Sequence, residues 1–154
     1  MKKNAKSEEP KAPATLSDFL CFAVYSTNLA FGRVYKPLFE ELGLTYLQFI
    51  ALVALHEQDD QTVGSLGEKL YLDSSTLTPL LKRLEGMGYV TRQRDSVDER
   101  QVRVSLTEAG RRVRDRGSCG LSPIVEATGL APDDFRRLQR DLTTLRDSLI
   151  KAAT

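Results

Sequence analysis

Two side chains in this sequence can do nucleophilic redox chemistry, the thiols of Cys21 and Cys119. A thiolate attacks electrophilic oxygen, and the oxidised sulfur can then be trapped by a second thiol as a disulfide. Two cysteines are too few for a disulfide framework in a chain of 154 residues with 41% hydrophobic residues, so they are expected to react, if at all, as regulated thiols. A cysteine alone on an apolar helix face is more often a small inert core residue. The single histidine, His56, has no ligand types gathered around it, so a solvated or helix-end place is expected, with no metal and no other cofactor.

The second chemistry is electrostatic. Asp73 to Gly88 reads as a helix with Asp73 as its cap and Gly86 and Gly88 as its stop. Leu77, Leu80, Leu81 and Leu84 make one buried stripe, and Pro79 predicts a kink after the first turn. Ser74 opens the helix, and Ser75, Thr76, Thr78, Lys82 and Arg83 line its other face, with only Glu85 negative nearby. Such a face fits a polyanion, although charged residues on one helix usually mean only a solvated surface. The next segment narrows the choice: Tyr89 to Arg94 and Gln101 to Leu106 alternate with a period of two around the polar tip Asp95 to Arg100, a hairpin with basic residues exposed. A helix of about fifteen residues is roughly 22 Å long, and its first turns can enter a major groove while the hairpin reaches the flanking backbone. The net charge of +1 hides a segregation: Lys82, Arg83, Arg92, Arg94, Arg100 and Arg103 cluster here, and Glu40, Glu41, Glu57, Asp59 and Asp60 lie upstream.

The rest of the chain must position these groups. Residues 1–14 have no hydrophobic period and are expected to be a disordered arm. Thr15 with Asp18 looks like a capping box, after which Leu16, Phe19, Leu20, Ala23, Thr27, Ala30 and Phe31 recur at helical intervals. Phe22, Val24 and Leu29 widen that stripe until it suggests burial against another subunit. Gly32 and Pro37 predict a kink or a short second helical piece ending near Gly43. Thr45 caps a helix with Phe49, Ile50, Leu52, Val53 and Leu55 as core, and Thr62 to Leu70 forms a short helix with Val63, Leu66 and Leu70 inward. Short helix, tight turn and longer helix make a helix-turn-helix, and the hairpin makes it winged. Thr107 caps a further helix that Gly117, Gly120 and Pro123 disturb, and the last helix starts near Pro132 with a heptad seam of Phe135, Leu138, Leu142, Leu145 and Leu149. The expected class is mainly α with a small β-wing, a winged helix-turn-helix homodimer. Its domain spans 15–154, with 15–44 and 108–154 as dimerisation helices and 45–107 as the DNA-binding part. A dimer presents two recognition helices to half-sites roughly 34 Å apart on double-stranded operator DNA. No apolar run reaches membrane-spanning length and no signal-peptide core follows the basic start, so no membrane partner and a cytoplasmic place are expected.

On these residues the chain resembles the multiple-antibiotic-resistance regulator (MarR) family of winged helix-turn-helix repressors. The resemblance covers nearly everything from Leu16 to Leu149, including the wing signature Asp98-Glu99-Arg100 followed by Val102 to Thr107. It implies that Arg100 enters a minor groove, where narrow A·T-rich segments attract a guanidinium, and that Asp98 orients it. Within the family the chain is similar to the organic hydroperoxide resistance regulators, over Leu20 to Ser26, Val34 to Leu38, Leu42 to Tyr46 and Leu72 to Leu84. That likeness implies that Cys21 is the peroxide sensor, that Tyr35 and Tyr46 hydrogen-bond its sulfur across a dimer interface, and that an organic hydroperoxide is the inducer. A phenol donating to sulfur favours its charged form. The helix dipole is expected to add little, because Cys21 lies beyond the first turn after Thr15. Phe19, Phe22, Phe39 and Phe49 would line a pocket for apolar peroxides. For Tyr25, one turn from Cys21, core packing is as good a reading as sensing. The resolving thiol is Cys119 of the partner or a low-molecular-weight thiol.

The implied function is a repressor that holds its operator while Cys21 is reduced and leaves on oxidation, derepressing a peroxide-detoxification gene. The alternative is a repressor released by a small aromatic ligand without thiol chemistry. An enzyme is not expected, since nothing besides Cys21 and its tyrosines looks catalytic.

Overall fold

The computed structural model describes residues 15–154, so the arm expected over 1–14 lies outside the described residues. These residues divide into two compact units, one reaching to Pro37 and the other spanning Leu38–Thr154.

In the first unit the Thr15 amide donates to Asp18 Oδ2 at 2.9 Å, as a capping box should, but what it starts is a 3-10 turn over Leu16–Asp18. Asp18 also accepts from the Thr15 hydroxyl at 3.0 Å, which closes the turn tightly, and Phe19 leaves it in extended conformation. The long helix α1 therefore begins at Leu20, not at Thr15, and runs to Leu42. It passes through Gly32 and Pro37 without a break, so the expected second helical piece does not exist. Pro37 removes one backbone donor, and the remaining i to i−4 bonds carry the helix on. Leu20, Val24, Leu29 and Val34 are all exposed on it. The helix ends where Gly43 takes φ +66° and the Leu44 amide reaches back to the Phe39 carbonyl at 3.0 Å.

In the second unit four helices start on side-chain caps, and those at Thr45, Asp73 and Thr107 are the ones expected from sequence. Thr45 and Gln48 exchange bonds of 2.9 and 3.2 Å at the start of α2 (Tyr46–Glu57), which buries Phe49, Leu52 and Leu55. Thr62 caps α3 (Val63–Leu70), Asp73 caps α4 (Ser74–Gly86) and Thr107 caps α5 (Glu108–Cys119). All four leucines of the α4 stripe are buried, and α4 continues unbroken past Pro79. The wing is a sheet of three strands where two were expected: β1 (Gln61–Thr62) pairs antiparallel with β3 (Val102–Leu106), which pairs with β2 (Val90–Arg94). Gln61 is buried, and its amide donates to the carbonyls of Ala54 and Gln58.

Of the residues expected to disturb α5, Gly120 caps its end, while Gly117 lies inside it. A Cβ there would stand 2.3 Å from the Phe49 ring, so the glycine lets α5 close on α2. After α6 (Ser122–Ala127), α7 (Pro132–Ala153) buries none of its residues, and Leu138, Leu142 and Leu149 of the seam stand exposed. Among the described residues no single helix is long and apolar enough to cross a membrane.

Candidate nucleic-acid interface and thiol site

The turn between α3 and α4 is built by backbone. Leu72 donates to the Gly67 carbonyl at 2.9 Å, and a Cβ on Gly67 would lie 2.7 Å from the Leu72 oxygen, so only glycine fits. Tyr71 takes left-handed geometry at φ 57° to close the turn. Asp73 then accepts from the Thr76 amide at 2.9 Å and the Ser75 hydroxyl at 2.6 Å. These two donors, the Ser75 hydroxyl first, hold the Asp73 carboxyl below the usual carboxylate range. This cap presents Ser74, Ser75, Thr76, Lys82 and Arg83 exposed, and Thr78 half-buried.

A cleft of about 340 Å³ joins that face to the wing, lined by Ser74, Thr78 and Leu81 of α4, Thr62 to Gly64, and Arg92, Arg100, Gln101 and Val102. Thr62 and Gln101 carry no signal in sequence that would have placed them there. Arg100 is 90% exposed at the hairpin tip, with Asp98 bonding its Nε at 3.0 Å and its Nη2 at 3.3 Å. The guanidinium holds the Asp98 carboxyl below the usual carboxylate range. Arg94 is exposed beside the Glu99 carbonyl.

Two arginines of the expected basic face are otherwise engaged. Arg92 forks onto Glu85 Oε2 at 2.9 and 2.8 Å and is only 22% exposed, so it ties β2 to α4 rather than offering a free cation. Arg103 is bound by Asp60 and Asp95.

The thiol site differs from expectation in one position. Because α1 starts at Leu20, the exposed Cys21 lies within its first turn and not beyond it. Tyr35 is on the same helix fourteen residues later, about 21 Å along the axis at the ordinary rise. The two cannot touch within one chain. Tyr35 is half-buried with its ring 6.0 Å from Phe31, and Tyr46, the first residue of α2, stands edge-on to Phe39 at 6.0 Å. Phe39 and Phe49 do not line an open pocket: they are buried ring against ring at 5.4 Å in the core. Phe22 faces Tyr25 at 6.3 Å, and Phe19 is exposed. Cys119 is a free, exposed thiol at the last residue of α5. His56 is exposed in the last turn of α2, and among the described residues no three His, Cys, Asp or Glu side chains group as metal ligands.

A short helix, a glycine-closed turn, a capped helix with a hydroxyl and cationic face and a β-hairpin beside it define a winged helix-turn-helix protein. Residues 33–116 match the family described as transcriptional regulator SarA/Rot. The organic hydroperoxide resistance transcriptional regulator of Bacillus subtilis is 40% identical over 134 residues, 87% of this chain and 91% of that one. The HTH-type transcriptional regulator TtmR of Methylorubrum extorquens is 44% identical over 137 residues, 89% of this chain and 70% of that one. The overoxidised AbfR of Staphylococcus epidermidis, solved bound to DNA, superposes with a TM-score of 0.72 at 34% identity over 87% of this chain and 94% of that one. The chain belongs to this SarA/Rot family of transcriptional regulators, winged-helix proteins of the MarR type, and is a regulator rather than an enzyme.

Proposed function

We propose that this regulator is a redox-sensing repressor that binds double-stranded operator DNA as a homodimer while Cys21 is reduced and is released when an organic hydroperoxide oxidises it. The observation that carries the reading is Cys21 itself, an exposed thiol in the first turn of α1, in a chain 40% identical to an organic hydroperoxide resistance regulator. The Cys21 thiolate attacks one peroxide oxygen, the O–O bond breaks, and the alkoxide leaves with a proton as the alcohol. The sulfur, oxidised by two electrons, becomes a sulfenic acid. A second thiol, Cys119 of the partner subunit or a low-molecular-weight thiol, then forms a disulfide with loss of water.

The 21 Å between Cys21 and Tyr35 argues that a Tyr35 phenol near the sulfur comes from the second copy. The exposed apolar sides of α1 and α7 supply the surface for that pairing, in the helical parts 15–44 and 108–154. Oxidation would exchange the hydrogen bonds of Tyr35 and Tyr46 for new sulfur geometry and so re-aim the α4 helices of the dimer. The gene released would encode a peroxide-detoxifying protein.

Fluorescence anisotropy on a duplex from upstream of the protein's own gene tests this. One equivalent of an organic hydroperoxide should release the protein, and dithiothreitol should restore binding. Release by a salicylate-type aromatic acid with no response to the peroxide would replace the thiol mechanism with the ligand one. Arg100→Ala is expected to weaken operator binding by about 1–3 kcal/mol while leaving dimerisation intact. Unchanged affinity at several salt concentrations would remove Arg100 from the interface.

A further inference from the structure

The hairpin that should face DNA carries an acidic residue with no evident business there. Asp95 opens the turn out of β2, yet its side chain is only 13% exposed, and both carboxylate oxygens are engaged inward. Oδ1 accepts from the amides of Val97 at 2.8 Å and Asp98 at 2.9 Å. Oδ2 accepts from Arg103 Nη1 at 3.1 Å. Arg103 in turn donates to Asp60 Oδ1 at 2.8 Å and to the Asp60 carbonyl. Asp60 belongs to the turn after α2, and its neighbour Asp59 fastens that turn by accepting from the Leu106 amide and from Arg111, each at 2.8 Å. At the other end, Asp98 holds Arg100 through its guanidinium.

These bonds form one continuous connection from the α2 turn through Asp60, Arg103 and Asp95 to the loop that aims Arg100. We propose that Asp95 is a positioning residue for Arg100, so that an anionic side chain on the DNA-facing hairpin strengthens DNA binding. The inference rests on the operator-binding reading above. Its logic is preorganisation: a long, exposed guanidinium binds better when the loop beneath it is already ordered. The donors to Asp95, the Asp98 and Val97 amides first and then Arg103, also hold its carboxyl below the usual carboxylate range, so the connection persists at physiological pH.

The expected sign is opposite to that of simple electrostatics, by which removing a carboxylate from a surface that meets a polyanion should raise affinity. Asp95→Asn keeps the oxygen that takes both amides and sets an NH2 group against the Arg103 donor, cutting that link alone. Asp95→Ala removes all three bonds. Binding to the upstream duplex is expected to weaken about threefold in Asp95→Asn and about tenfold in Asp95→Ala, the latter approaching the loss of Arg100 itself. Adding Asp95→Ala to Arg100→Ala should cost nothing further, since a residue acting through Arg100 has no effect once Arg100 is gone. Amide hydrogen exchange at Val97 and Asp98 should accelerate in Asp95→Ala without DNA present. Wild-type binding with equal or tighter binding by the two Asp95 variants would overturn the inference alone, as would additive losses in the double variant. Failure of the wild type to bind the duplex would overturn the operator reading and this inference together.

Discussion

Cys21→Ser is expected to bind the operator like the reduced wild type and to stay bound when an organic hydroperoxide is added. The substitution is nearly isosteric and its hydroxyl still accepts a phenol hydrogen bond, so folding and dimerisation should be unaffected. What it removes is the nucleophile. A serine hydroxyl without an adjacent base is un-ionised at neutral pH and does not break a peroxide O–O bond, the step proposed for the cysteine sulfur. For the wild type, oxidation should lower affinity by roughly 5- to 150-fold, the span of an ordinary allosteric coupling. Anisotropy titrations before and after one equivalent of peroxide give both numbers. A serine variant that is still released would move the sensing elsewhere, to Cys119 or to a bound ligand.

Gly110→Ala should be severely destabilising, although alanine is normally the better helix former by about 1 kcal/mol. A Cβ at Gly110 would lie 2.1 Å from the Tyr89 carbonyl oxygen and 2.9 Å from Leu106 Cδ1. The first contact is with backbone, and that same oxygen accepts from the Thr107 amide at 3.0 Å. Thr107 is also tied to the Gly88 carbonyl at 2.6 Å. Relieving the clash means lifting the start of α5 off the end of the α4–β2 turn and breaking these bonds. A loss of about 3 kcal/mol is expected, on the scale of overpacking plus a disrupted network, or roughly 6–12 °C in Tm. Denaturant and thermal unfolding measure it. Gly86→Ala is the control: no atom lies within 4 Å of its Cβ position, so it should be neutral or slightly stabilising. Equal effects from the two would show that α5 moves aside freely.

These glycines show where sequence reading stops. The leucine stripe of α4, its Asp73 cap and the caps at Thr45 and Thr107 were legible because each depends on residues within a turn or two. Gly117 looked disruptive and Gly110 drew no reading, because the atoms they admit, on Phe49 and Tyr89, are distant in sequence. β1 was missed for the same reason: two residues have no period, and Gln61–Thr62 become a strand only through β3. Arg103 looked like part of a basic face because its partner Asp60 is 43 residues away. Thr15 and Asp18 gave the capping signature faithfully, but that signature does not distinguish a 3-10 turn from an α-helix, and the misplaced start hid the position of Cys21 in its first turn. On the side proposed to meet DNA, the exposed face of α4 was legible from its period, whereas the cleft shared with Thr62 and Gln101 exists only after folding.

The unbroken run of α1 from Cys21 past Tyr35 has a further meaning. A single chain holds these two residues of the proposed sensor about 21 Å apart along one helix, too far to meet. Sensitivity to peroxide would then be a property of the pair, rising and falling with the fraction of chains that have met a second copy. At low abundance the cell would hold protein able neither to span an operator nor to register an oxidant, so both abilities would appear together as the concentration passes the dimerisation threshold.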